Sequence, residues 1–271
     1  MSSLGARASA LSLHHLTTLD VSPPELVDIA AVLDCGHVCL FTQVQAETRS
    51  MFPAVEDAAM AAAVAERCAA TGVGVHNLEY FPVSPETDPG LYRPALERGA
   101  RLGAKRATAH IHDTDRGRAL ARFAALCNLA ADYDLNIGLE FTAFSKVTTL
   151  EAALAFVADA GAENGDVVLD ALHFFRSGGD AAALASMDLS RVGYVQICDG
   201  PTRVTEEERI HEAVAERGLP GEGAFALAAF VSALPPGRVI DVEVPQSARM
   251  AAGVSPLDRA RLAVDAARRL F

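Results

Sequence analysis

The sequence predicts a single (β/α)8 barrel, an α/β fold with its active site at the C-terminal face of the strands, and three observations predict it. Short β-branched apolar stretches alternate with amphipathic or alanine-rich ones eight times along 271 residues. The apolar content of 51% is enough to bury one large core, and about 250 residues is a usual barrel length, so residues 1–271 read as one domain. Carboxylates or an amide stand at the ends of the last four predicted strands.

The elements follow in order. Residues 11–19 form a first strand, and Ser22-Pro23-Pro24-Glu25 then opens a helix to residue 33, with serine as cap and proline in the first turn. Strand two is 37–42, and an alanine-rich helix over 55–70 stops at Thr71-Gly72. Strand three, 73–80, ends at Glu79-Tyr80, and a proline-rich loop leads to a helix over 91–102. Strand four is 106–111 and carries His110, with His112 and Asp113 just beyond. A helix over 115–133 precedes strand five, 135–141, which ends near Glu140; the next helix, 149–159, is closed by Gly161. Strand six, 167–170, ends at Asp170, and a short helix is expected near 181–185. Strand seven, 191–198, carries Gln196 and exits through Asp199-Gly200-Pro201. Residues 202–223 are the longest break in the rhythm, a lid or substrate loop or else a tolerated surface insertion, with a charged helix near 206–216. A helix over 225–234, strand eight over 238–244 with Glu243, and a final helix over 256–270 complete the chain.

Composition narrows the function. A formal net charge of −12 is a poor match to a polyanion, so nucleic acid and anionic membrane surfaces are not expected partners. The five cysteines are scattered in apolar context without a Cys-x-x-Cys pair, which suits reduced thiols in a cytoplasmic protein. Residues 1–10 lack the apolar core of a signal peptide, and no apolar run approaches the roughly 18 residues of a membrane span.

In a parallel barrel all strand ends share one face, so Glu140, Asp170, Gln196 and Glu243 converge there from strands five to eight. Three carboxylates at close range need a countercharge, which a divalent cation supplies. All four donors are oxygens, favouring Mn²⁺ or Mg²⁺, with Co²⁺ or Zn²⁺ as alternatives. Taken singly, each carboxylate has a plainer role, capping the following helix or pairing with a surface arginine; Asp170 in particular reads equally as a cap. His110 and His173 suit a core histidine as well as a functional one, and Arg176-Ser177-Gly178-Gly179 suits an anion site or a plain turn. Asp241 shares the parity of Glu243.

The runs Gly138-Leu139-Glu140-Phe141, Leu169-Asp170-Ala171-Leu172-His173-Phe174-Phe175-Arg176-Ser177-Gly178-Gly179, Gln196-Ile197-Cys198-Asp199-Gly200 and Pro220-Gly221-Glu222-Gly223 resemble the xylose isomerase-like TIM barrel superfamily, the sugar phosphate isomerases and epimerases. The resemblance covers residues 16–269. It implies a metal held by Glu140, Asp170, Gln196 and Glu243, and a homo-oligomer. Gln196 stands where many members carry a histidine, which looks more like the dehydroshikimate dehydratases. The DNA-repair branch needs a histidine-rich trinuclear zinc cluster that His76, His110 and His173 match only in part.

The expected activity is that of a metal-dependent isomerase or epimerase acting on a small polyhydroxy carbonyl compound through an enediolate. Glu140 and Glu243 are the candidate acid/base pair, and His173 orients substrate or shuttles a proton. Arg176 and Lys146 are candidates to hold a phosphate, carboxylate or hydroxyl, with His110, Glu79 and Arg249 as further substrate contacts. The alternative is a dehydratase of the 3-dehydroshikimate or inosose type, in which the same carbanion expels a β-hydroxyl. A third reading is a catalytically silent accessory subunit that keeps the barrel and the metal.

Overall fold

A computed structural model describes residues 11–45 and 48–271; the signal-peptide reading of residues 1–10 lies outside them. Eight parallel strands close into a barrel in sequence order: β1 (Leu11–His14), β2 (His37–Phe41), β3 (Gly74–Val83), β4 (Arg106–Ile111), β5 (Asn136–Glu140), β6 (Gly165–Asp170), β7 (Val192–Ile197) and β8 (Ile240–Val242). Neighbours pair in parallel throughout, and β1 closes on β8 with Ser12 opposite Asp241. Thr17 clamps this seam: its hydroxyl donates to Val242 O at 2.8 Å and accepts from Val244 N at 3.0 Å.

The strands are buried on both faces, and side-chain alternation divides their residues into two interiors. Leu13, Val38, Leu78, Ala107, Leu139, Leu169, Val195 and Val242 belong to the apolar cluster that also takes in the surrounding helices. Residues of the other parity, among them Ser12, His14, Asn77, Glu79, Thr108, Glu140, Asp170, Gln196, Asp241 and Glu243, are buried and polar. The barrel lumen is therefore a polar core enclosed by an apolar one.

Helix boundaries follow local chemistry. Asp57, Asp115, Thr149 and Ser255 each accept a backbone N–H of the first turn of the helices Ala58–Thr71, Arg116–Ala131, Leu150–Ala160 and Pro256–Arg268. Gly72 and Gly161 end two of these in the left-handed conformation, as their positions in the sequence anticipate. Three expectations need correction. The first strand stops at His14, where a 3-10 turn, His15–Thr18, takes over. The stretch after β6 is a helix, Ala171–Arg176, in addition to the short one at Ala181–Leu184. The charged helix of the 202–223 excursion is shorter, Glu208–Val214. No helix is long and apolar enough to cross a membrane among the described residues, and all five cysteines are free.

Candidate active site at the barrel mouth

Seven strand-borne polar residues meet at the C-terminal end of the barrel: His14 (β1), Glu79 (β3), His110 (β4), Glu140 (β5), Asp170 (β6), Gln196 (β7) and Glu243, just past β8. All but His110 are at most 5% exposed, so the mouth is shut. His110 donates from Nε2 to Glu140 Oε2 at 2.5 Å, and His173 Nε2 lies 3.7 Å from Glu140 Oε1. On β3, Asn77 Nδ2 donates to Glu79 Oε1 at 2.9 Å, and His14 Nε2 stands 3.6 Å from the same oxygen.

Asp170 fills both roles that the sequence left open. Its Oδ1 accepts the His173 N–H at 2.9 Å and so caps the helix Ala171–Arg176, while its Oδ2 faces the lumen. There it meets a residue that sequence reasoning missed. Arg217 places Nη1 2.8 Å from Asp170 Oδ2 and Nη2 2.8 Å from Glu243 Oε1, with its side chain 2% exposed.

The excursion after β7 delivers this guanidinium, and Asp199 organises it. Asp199 Oδ1 accepts from Gly200 N and Phe225 N, and Oδ2 from Gly221 N. Two backbone bonds pair Asp199 with Gly218, next to Arg217. Gly221 is left-handed at φ +85°, and a Cβ on Gly223 would overlap the Asp199 carboxylate, so the Pro220-Gly221-Glu222-Gly223 turn can wrap that side chain only with glycines at these places. A second pin holds the helix Glu208–Val214: Arg176 Nε donates to Glu212 Oε2 at 2.7 Å, and Arg176 Nη2 donates to Pro201 O at 2.8 Å.

The carboxylates at the mouth are driven in opposite directions. Burial works to raise Glu140, but the charge and hydrogen bond of His110, with His173 and Arg217, outweigh it and hold the carboxyl well below its usual range. Burial raises Glu243, with Asp170 and Glu140 adding to it, and Arg217 and His14 do not cancel the rise. His173 is lowered by burial and stays neutral. One layer deeper, burial pushes Asp241 up to about 6, against the opposing influence of His14, Ser12 and Tyr194.

Of the candidates named from sequence, Glu140, Asp170, His173, Gln196, Glu243, His110 and Glu79 are at the mouth. Glu140, Asp170 and His173 bring one ligand atom each within 4.8 Å of one another, and so do Glu79, His110 and Glu140. Glu243 is joined to Asp170 through Arg217 rather than directly. Arg176, expected as a substrate contact, is paired with Glu212. Lys146 is exposed on the loop after β5, and Arg249 lies on the outer side of the excursion with Gln246 Oε1 3.4 Å from its Nη1. The donor set fits a divalent cation: Gln196 Oε1 and Glu243 Oε2 are buried oxygens with no hydrogen-bond partner, beside two further carboxylates.

His14 was missed because the first strand was expected to run to residue 19, which hid the strand end at which it stands. Arg217 was missed because no residue of the 202–223 stretch, read as a lid or substrate loop or else a surface insertion, was placed in the site; the signal was an arginine three residues ahead of the Pro220-Gly221-Glu222-Gly223 turn.

The sequence matches the family described as xylose isomerase-like TIM barrel over residues 27–270. No curated protein matches it significantly in sequence. Among solved structures, it resembles the IolI protein with a bound zinc atom (TM-score 0.75, 19% identity, 96% of this chain and 97% of that one). D-allulose 3-epimerase from Methylomonas sp. superposes with a TM-score of 0.70 at 18% identity, covering 96% of this chain and 97% of that one. The probable 3-DHS dehydratase AsbF, involved in petrobactin synthesis in Bacillus anthracis, gives 0.72 at 14% identity, covering 94% and 97%. At these identities the likeness concerns the fold.

Proposed function

The chain belongs to the xylose isomerase-like TIM barrel family, and from that premise we propose that it is a divalent-metal-dependent isomerase or epimerase of a small polyhydroxy carbonyl compound. The observation that carries this reading is the convergence of Glu140, Asp170, Gln196 and Glu243 on one enclosed mouth, where Gln196 Oε1 and Glu243 Oε2 are buried without hydrogen-bond partners. A divalent cation held by Glu140, Asp170, Gln196 and Glu243 would supply Lewis-acid polarisation of a carbonyl and its neighbouring hydroxyl. Glu140, kept ionised by His110, takes the proton next to the carbonyl, and Glu243, on the other side of the mouth, is the partner in acid/base transfer. Neutral His173 orients the substrate oxygen nearest Glu140. The excursion excludes water, so a substrate reaches the site only when it lifts.

A second reading, a dehydratase, is favoured by Gln196 on β7, whose buried oxygen has no partner, together with the fold likeness to AsbF. Both begin with the same proton abstraction. The net charge of −12 supports a small-molecule substrate rather than nucleic acid.

The test is to turn over ketoses, hydroxy-ketoacids and cyclic polyols with the Mn²⁺-supplemented protein in D₂O. Deuterium is expected at the carbon next to the carbonyl, and Glu243→Gln should slow turnover by about 10²–10⁴-fold. Turnover with no solvent deuterium and full activity in Glu243→Gln would sink the mechanism. A conjugated product formed with loss of water would select the dehydratase.

A further inference from the structure

His14 ends β1 with its ring fixed. Nδ1 accepts the Leu16 N–H at 2.9 Å, so the ring proton sits on Nε2, and Nε2 is a buried donor with no hydrogen-bond partner. Glu79 Oε1 stands 3.6 Å from it, too far for a hydrogen bond. Glu79 is fixed as well: Asn77 Nδ2 donates to Oε1 at 2.9 Å, and the Cys39 thiol points at the same oxygen from 3.8 Å. Both side chains are buried, and among the described residues no lysine or arginine is paired with Glu79.

A cation does not answer this donor. His14, Cys39 and Asp241 bring one ligand atom each within 4.8 Å of one another, but a metal needs a bare ring nitrogen. His14 has none to give, because Leu16 holds Nδ1 and Nε2 carries the proton. An oxygen lodged between His14 and Glu79 does answer it, provided that it accepts from Nε2 and brings a proton for the carboxylate. A hydroxyl does both. A carboxylate oxygen accepts from His14 but meets Glu79 charge to charge. The pair also borders the reacting end of the mouth, since Glu79, His110 and Glu140 bring one atom each within 4.8 Å of one another.

We propose that His14 and Glu79 form a hydroxyl-recognition site, and that the substrate is uncharged beside its carbonyl: a ketose or cyclic polyhydroxy ketone rather than a hydroxy-keto acid. This rests on the isomerase or epimerase reading given above and names its substrate class. His14 donates to the hydroxyl oxygen, Glu79 accepts the hydroxyl proton, and Leu16 and Asn77 hold the two side chains in place. The division of labour is distinct. His14 supplies hold on the hydroxyl, whereas Glu79 supplies the repulsion that turns an acid away.

The experiment uses a matched pair of probes, D-fructose and 2-keto-D-gluconate, which differ only in a hydroxymethyl or a carboxylate next to the ketone. Their affinities for the full chain with Mg²⁺ are measured by saturation-transfer NMR in the parent, Glu79→Gln and His14→Phe. The parent should bind D-fructose about tenfold or more tightly than the acid. Glu79→Gln keeps an acceptor and removes the charge, so it should narrow that preference by about tenfold. His14→Phe should weaken D-fructose by about tenfold, the scale of one buried hydrogen bond. It also removes the bond to Leu16, so Glu79→Gln carries the test if that variant does not fold. A merely structural Glu79 would weaken both probes alike and leave their ratio unmoved. Equal binding, a preference for the acid, or an unmoved ratio in Glu79→Gln would overturn the hydroxyl site. So would binding of neither probe. Turnover of any compound in the panel above would then leave the metal-dependent reading standing, and its absence would remove both.

Discussion

The barrel buries an arginine against an aspartate at each end, and the two are held differently. At the N-terminal floor, Arg106 of β4 pairs with Asp166 of β6 and stacks its guanidinium 5.1 Å from the centre of the Tyr194 ring. Both charged groups are carried by strands, so register alone fixes their meeting. Gly138 on β5 and Gly193 on β7 leave the space: a Cβ at Gly138 would come 2.8 Å from Arg106 Nη2, and one at Gly193 would overlap the Asp166 carboxylate. At the mouth, Arg217 comes from a loop, bridges two carboxylates, and leaves Gln196 Oε1 and Glu243 Oε2 without partners. A strand-borne charge is part of the scaffold. A loop-borne charge beside unsatisfied acceptors keeps its place only through the contacts that pin the loop.

The largest expected effect breaks the floor. Gly193→Ala should cost about 3–5 kcal/mol, because the added methyl parts Arg106 from Asp166 and leaves two buried charges uncompensated. Urea unfolding of parent and variant measures it; a loss below about 1 kcal/mol would mean that the floor pair is dispensable.

A smaller effect sets the two ends against each other in pH. At the floor, burial and then Arg106, His37 and Lys105 lower His76 to about 3 from an ordinary 6.5. The unfolded chain therefore binds the proton that the folded one refuses, and stability present above pH 6.5 is lost as pH falls toward 3. Allowing for the partial exposure of His76, this amounts to about 3 kcal/mol. At the mouth, burial alone would lower His110, but the charge and hydrogen bond of Glu140 raise it. Its contribution thus has the opposite sign, full below pH 6.5 and lost as pH rises through the raised value. Denaturation at pH 7 and pH 4 should show a shallower acid loss in His76→Gln than in the parent, and identical slopes would remove His76 from the account.

The smallest effect sharpens the mouth. Glu212→Ala removes the carboxylate that Arg176 grips, and should cost about 2 kcal/mol. Its signature is local: faster hydrogen exchange in Glu208–Val214 with the strands unchanged. Uniform loosening of the whole barrel would show instead that the excursion is as much a part of the scaffold as the floor.

What the sequence by itself determined is what local periodicity and strand ends encode. Alternation with period two sends Glu140, Asp170 and Gln196 into the lumen, and eight βα repeats bring their strand ends to one face, so these residues and Glu243 were legible as a set. The Ser22 cap and the left-handed Gly72 and Gly161 were legible for the same local reason. Only the tertiary structure decided what those carboxylates face. Arg217 reaches Asp170 across 47 positions and Glu243 across 26, through a loop conformation set by Asp199 and two glycines, and no periodicity encodes such a reach. The partner of Arg176 was hidden likewise, because a long flexible side chain serves substrate or Glu212 equally well until the helix Glu208–Val214 has a place. His14 was decided by where β1 stops, which depends on Thr17 closing the seam with β8 rather than on the apolar pattern of residues 11–19.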